Sequence, residues 1–201
     1  MDYPGFQRKL QEKKLEIFTL YDIEALYPQN NPKTIKNNLH NWVKQGHIQR
    51  IKKNMYLLQE KNIPAYYLAN KLYQPSYISH ETALSFYNLI PEETAHTTST
   101  TTKPTRTIKN KHGTFTYHTI KKNAYTGYKL MKIQGYKTLI AEPEKALADF
   151  IYHRNRQGQK DYEGERFNKK QLNKISHQKT MNYAKKLNKK THQTIKQILK
   201  K

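Results

Sequence analysis

The sequence predicts an α+β fold: a winged helix-turn-helix at the N-terminus, a larger α+β segment, and a basic helical cap at the C-terminus. Three features predict it: the helix-then-hairpin pattern of residues 31–58, a β-rich middle flanked by apolar helices, and a lysine-covered periodic tail. In NPKTIKNNLHNWVKQGHIQRIKKNMYLL, Asn31 is a good N-cap. Pro32 suits the first helical position, where the backbone N–H has no intrahelical partner. Ile35, Leu39, Trp42 and Val43 then form one apolar stripe at helical spacing, and Gly46 stands where a C-cap would. Residues 47–51 and 55–58 read as two short strands joined by Lys52-Lys53-Asn54. A polar-faced helix followed by a basic hairpin is the second half of a winged helix-turn-helix, a DNA-reading module.

The first half is also present. Residues 3–14 read as a helix with Phe6 and Leu10 inward, and Ile17-Phe18 is a short apolar lead-in to the next element. Thr19 and Asp22 have capping-box spacing, with Asp in the position that Glu usually takes. Leu20, Ile23 and Leu26 make residues 20–26 a second short helix, and 27–30 is the turn into Pro32. The opposite side of the helix at Pro32 presents Lys33, Asn37, His40, Asn41 and Lys44, flanked by Thr34 and Lys36, with no acid among them. Asn can pair bidentately with adenine, and Lys serves guanine or phosphate. An ordinary solvated helix would carry a Glu for i,i+4 pairing, which this one lacks. Lys52, Lys53 and Asn54 at the hairpin tip are the expected wing contacts.

Charge points the same way. Of 201 residues, 37 are Lys or Arg and 15 Asp or Glu, a formal net charge of +22. A polyanion is the natural partner, since each neutralised phosphate releases condensed counterions. Lysine drift in an AT-rich genome would give a similar total, but the distribution is uneven: residues 1–58 hold 10 basic and 5 acidic groups, 59–153 hold 12 and 7, and 154–201 hold 15 and 3. Cysteine is absent, which excludes disulfides and thiolate metal sites and suits a reducing compartment. The N-terminus has no signal-peptide core, and no stretch approaches the roughly 20 apolar residues of a membrane span. The expectation is a cytoplasmic, nucleoid-associated protein with no membrane partner.

A polar linker at residues 60–64 separates domain 1–59 from domain 60–155, with 156–201 a basic helical subdomain packed on the latter. Residues 65–73 and about 80–89 read as helices, the second with Ala83, Leu84 and Tyr87 inward and Pro91 beyond its end. Residues 96–102, 106–109, 114–120 and 138–141 read as strands. The Thr-rich run 97–102 is β-branched enough to be a strand rather than low complexity, and Gly113 suits a hairpin turn. Pro143 opens a helix to about His153 in which Ala146, Leu147, Phe150 and Ile151 recur at helical spacing. In the tail, Phe167, Leu172 and Ile175 suggest one helix. Met181, Ala184 and Leu187 suggest a second, and Thr194, Ile195, Ile198 and Leu199 a third.

Catalytic motifs are scarce. The seven glycines never form a phosphate loop, there is no GxSxG, and the nine histidines are dispersed, with no HExxH. His112 and His118 read as strand-surface residues, and no metal site or cofactor is expected. Glu142, Glu144, Lys145 and Asp149 could be a nuclease cluster, but the strand-borne Asp…Glu-x-Lys spacing is not met. Glu and Lys at a helix start are ordinary capping and dipole residues. No enzyme is expected.

The order of YISHETALSFYNLIPE, TSTTTKPTRTIKNKHGTFTYHTI and IAEPEKALADFIY behind this N-terminal pattern resembles the AbiEi family of bacterial antitoxins. The matching blocks are an S-x-E-x-A-L helix at 79–84, T-T-K-x-T-R at 101–106, G-T-F-x-Y at 113–117 and A-x-P-E-K-A-L-x-D at 141–149. Similarity runs from about residue 6 to the C-terminal helices, and His80, ahead of the Glu, falls where the family varies. The resemblance implies an N-terminal domain that binds inverted repeats in its own promoter and represses its operon. It also implies an α+β antitoxin domain that neutralises a nucleotidyltransferase toxin of the AbiEii type without a stable complex. The alternative is a stand-alone winged-helix transcriptional regulator with no toxin.

Overall fold

The computed structural model describes residues 1–59, 62–91, 94–159, 161–162 and 164–200. The chain is a mixed α+β fold that divides into two compact units, Met1–Ile63 and Pro64–Lys201. Of the linker expected at residues 60–64, Glu60 and Lys61 lie outside the described residues.

The first unit runs α1 (Tyr3–Glu12), β1 (Ile17–Thr19), α2 (Leu20–Leu26), α3 (Pro32–Lys44), β2 (Ile48–Lys52) and β3 (Met55–Leu58). Asp2 caps α1 and Lys14 leaves it with φ +54, so the helix ends two residues before the sequence pattern suggests. The capping box at α2 is complete: Thr19 Oγ1 accepts from the Asp22 N–H, and Asp22 Oδ2 accepts from the Thr19 N–H at 2.6 Å. Ile17-Phe18 is more than a lead-in. With Thr19 it forms β1, which pairs antiparallel with β3 and completes a sheet of order β1-β3-β2. Phe6, Leu10, Phe18, Ile23, Ile35 and Leu39 are fully buried in one core with Trp42, Ile48 and Leu58. The Phe6 ring lies 4.5 Å from Trp42 and 5.5 Å from Phe18. From outside, Lys9 Nζ donates to the Leu26 carbonyl at 2.5 Å and sits over the Tyr27 ring, joining α1 to the end of α2.

The second unit contains α4 (Ala65–Leu72), β4 (Ser76–Ile78), α5 (His80–Phe86), β5 (Thr97–Thr101), β6 (Arg106–Asn110) and β7 (Gly113–Thr119). A single 3-10 turn at Lys122–Ala124 leads to β8 (Tyr128–Ile133), β9 (Tyr136–Ala141) and α6 (Pro143–Arg156). The chain then forms α7 (Lys169–Leu172), α8 (His177–Leu187) and α9 (Lys189–Ile198). The strands make one mixed sheet of order β6-β7-β5-β4-β9-β8, in which β4–β9 and β5–β7 are the parallel pairs. Strand β8 has no counterpart in the sequence reading, and β9 starts two residues earlier than expected. Gln134 and Gly135, both at positive φ, join the two strands where Ile133 faces Tyr136. Helix α5 stops at Phe86, short of Leu89, because Asn88 turns left-handed (φ +55) and the Leu89 N–H closes onto the Leu84 carbonyl.

Helix α6 is the centre of this unit. It is buried from Glu144 through Tyr152, packed between the sheet with α5 and the helices α8 and α9. Such a helix has no solvent face, and its apolar residues alone do not explain Glu144, Lys145 and Asp149. The C-terminal helices start at Asn168, Ser176 and Asn188, each of which caps with its side chain. Gly127 is required where it stands: at φ +77, a Cβ there would lie 2.6 Å from the Tyr183 ring of α8.

Candidate nucleic-acid interface

Helix α3 begins where Asn31 Oδ1 accepts the Lys33 N–H at 2.8 Å, with Pro32 at the first helical position. Its inner stripe is Ile35, Leu39 and Trp42, with Val43 half-buried at the edge. That stripe fixes the roll of the helix. Lys33, Thr34, Lys36, Asn37, His40, Asn41 and Lys44 are all exposed on its outer side, and the helix has no acidic residue. Asn38 is different, because it is half-buried and its amide donates to the Met1 carbonyl at 3.3 Å. The surface of α3 therefore carries three lysines and two free-standing amides with no carboxylate on the helix to neutralise them.

The hairpin is shorter at its tip than the sequence suggests. Lys52 belongs to β2, paired with Met55 and half-buried, so the turn itself is Lys53-Asn54. Lys53 and Asn54 are exposed. Asn54 takes φ +59, a conformation Asn tolerates better than most residues, and its carbonyl accepts the Leu20 N–H at 3.0 Å. That bond ties the turn to the first residue of α2. Two further exposed residues of this unit escaped the sequence pattern. Arg50 on β2 is exposed, and Tyr21 on α2 is 75% exposed, the most exposed large hydrophobic side chain among the described residues. A bulge between Arg50 and Lys52 breaks the strict alternation that would have shown which side Arg50 takes.

No family model matches this chain, and neither does any curated protein. No helix among the described residues is long and apolar enough to cross a membrane.

In the second unit the carboxylates of the suspected nuclease cluster have other work. Asp149 is fully buried and its Oδ1 faces Lys145 Nζ in an ion pair one helical turn away. Its Oδ2 accepts three hydroxyls: Tyr77 at 2.9 Å, Ser79 at 2.8 Å and Thr100 at 3.1 Å. Burial, together with the Asp149 charge beside it, pushes the Tyr77 phenol well above its usual range. Glu142 accepts from Tyr183 at 2.5 Å and pairs with Lys179 at 2.9 Å, both on α8. Burial works to raise the Glu142 carboxyl, but these two hydrogen bonds outweigh it and hold the group below its ordinary value. Glu144 Oε1 accepts the Ser176 N–H ahead of α8. Glu142 and Glu144 thus fasten α8 to the start of α6, while Asp149 joins α6 to β4, α5 and β5. Among the described residues, no three His, Asp or Glu side chains are grouped to hold a metal ion.

The histidines are dispersed in sequence but not in space. His80, His118 and His153 meet with ring centroids 4.7, 5.6 and 3.7 Å apart, and His118 is not a free strand-surface residue. Burial lowers all three imidazoles below their ordinary value, followed by the neighbouring histidines or Arg154. His118 is pushed down to about 4. A cleft of about 290 Å³ beside them is lined by residues including Glu81, His118, His153 and Arg154. No local motif could have revealed this cluster, because α5, β7 and α6 each contribute one ring.

Proposed function

We propose that this chain is a sequence-specific DNA-binding protein that represses its own operon, with an N-terminal winged helix-turn-helix. In this reading α2 and α3 are the two helices of the motif, α3 lies in the major groove, and the β2–β3 hairpin is the wing. The observation that carries it is the acid-free outer side of α3, where lysines alternate with the amides of Asn37 and Asn41. Lys33, on the first turn, stands where such helices bring side chains to base edges. Lys52, Lys53 and Asn54 would meet the flanking backbone. The resemblance to the AbiEi antitoxins supports a second role for residues 60–201, neutralising a nucleotidyltransferase toxin, with inverted repeats upstream of the gene as the operator.

Fluorescence anisotropy with a duplex carrying those repeats tests the assignment. Asn37→Ala is expected to weaken specific binding by about 1–3 kcal/mol and to flatten the preference at one base position. Lys53→Ala, in contrast, should weaken binding to all sequences alike and lower the salt slope by about 1. If both variants bind operator and scrambled duplex as the parent does, α3 and the wing are not the reading surface.

A further inference from the structure

The His80–His118–His153 cluster lies outside the DNA-reading surface, and no role described so far uses it. Three features set it apart from a packed aromatic contact. The first is the backbone of His80, which takes φ +55 at the start of α5 while its side chain is only 1% exposed. A left-handed non-glycine residue held in a core is strained, and such strain persists only where the surroundings over-determine it.

The second is the proton inventory. Asp149 Oδ2 can only accept, so the single hydroxyl proton of Thr100 is committed to it. The Thr100 oxygen must then accept from His80 Nε2, which stands 2.9 Å away. Neutral His80 carries its one proton on Nε2, and Nδ1 is left as a bare lone pair. That atom is buried and has no hydrogen-bond partner. His118 Nδ1 is buried and unpartnered as well. Unsatisfied buried polar atoms are uncommon in folded proteins, and here two belong to rings 4.7 Å apart.

The third is the surrounding charge. The groups facing the cluster are Glu81 on α5, His96 ahead of β5, Lys145, Arg154 and Arg156 on α6, and Asp149 on α6 through Thr100. Arg154 pairs with Glu81 Oε1 at 3.4 Å and Lys145 with Asp149, while the other Glu81 oxygen is buried at the cleft with no hydrogen-bond partner. The Lys145 and Arg154 charges act against protonation of His80.

We propose that the His80–His118–His153 cluster is a proton-operated latch that keeps α5, β7 and α6 together while neutral and releases them when it takes up protons. His80 packs edge-on against both other rings, His118 and His153 lie against each other at a 34° tilt, and His80 completes the Thr100–Asp149 network. A proton on His80 Nδ1 puts a charge in a fully buried site, beside the Lys145 and Arg154 charges. Because the folded rings resist protonation that the opened chain accepts, stability is complete above pH about 6.5 and is lost as pH falls toward 4. Each imidazole protonated only in the opened form multiplies the opening equilibrium about tenfold per pH unit.

Hydrogen exchange on the full chain from pH 7.5 to 4.5, corrected for intrinsic rates, tests the latch. The expected result is that amides of α5, β7 and α6 lose protection first as pH falls, by tenfold or more per unit, ahead of those of α1–α3. In His118→Gln, which keeps volume and polarity without the titration, the pH slope at these elements should fall by about one proton. Should that variant fail to fold, ring signals of the parent protein give the answer directly by NMR. His80 and His118 should remain untitrated at pH 6, below the midpoint of a free imidazole. Ordinary titration near pH 6.5, or an unchanged slope in folded His118→Gln, overturns the proposal.

Discussion

Replacing Asp149 with Ala is expected to unfold the unit Pro64–Lys201 or to destabilise it by about 3–5 kcal/mol. The change strips Lys145 of its counter-charge in a site where the lysine is 1% exposed, and strands the hydroxyls of Tyr77, Ser79 and Thr100 together. An uncompensated buried ammonium is the larger cost, and each hydroxyl left unbonded adds to it. The reciprocal change, Lys145→Met, is expected to be milder. Asp149 would keep all three hydroxyl donors, and Met fills much of the volume of the lysine stem. Urea denaturation followed by circular dichroism measures both. Equal losses for the two variants would show that the hydroxyls do little to hold the carboxylate. A catalytic carboxylate would behave otherwise, costing activity while leaving stability almost unchanged.

The second large effect is expected in the N-terminal unit. Trp42 is 7% exposed on the inner side of α3, against Phe6 at 4.5 Å and Tyr3 at 5.4 Å. Trp42→Ala removes the largest side chain of that core and should cost about 3–5 kcal/mol. A unit spanning Met1–Ile63 has roughly 3–9 kcal/mol of stability in total, so most of it would be lost. DNA binding should fail in this variant with every surface lysine still in place. Trp42→Phe, which keeps an aromatic ring in the same packing, should retain both fold and binding, as read by thermal melting and anisotropy. Binding by an unfolded Trp42→Ala chain at the parent's affinity would mean that charge alone is responsible.

Local chemistry was legible in the sequence and long-range pairing was not. Thr19 with Asp22, and Asn31 with Pro32, placed the starts of α2 and α3 because capping depends on residues within one turn. The stripe Ile35, Leu39, Trp42 gave the roll of α3, and with it the outward set from Lys33 to Lys44. Strand β1 was missed because three residues carry no periodicity, and only β3, distant in sequence, makes Ile17–Thr19 a strand. Strand β8 was missed because its turn is Gln134-Gly135 rather than the Asn-Gly or Asp-Gly that marks a two-residue hairpin. Lys52 moved from tip to strand because a bulge lies just before it.

Polar burial was the other blind spot. Asp149 and Lys145 fit an ordinary i,i+4 surface pair, and nothing local says that Tyr77, Ser79 and Thr100 converge on them. Likewise His80, His118 and His153 each look unremarkable in their own segment. The blocks behind the AbiEi resemblance contain Ser79, Lys145 and Asp149, which the fold joins in one network. That gives these residues a structural reason to occur together, independent of any antitoxin role.

The most direct test of the DNA-binding account is a salt titration of binding to the upstream repeats and to a scrambled duplex of equal length. If Lys33, Lys36, Lys44, Lys52 and Lys53 each neutralise one phosphate, log K should fall against log salt with a slope near about −4.5. Specific binding should remain at least about 1,000-fold tighter than binding to the scrambled duplex at physiological salt. Equal affinity for the two duplexes across the whole salt range would contradict it and leave only a general polyanion binder.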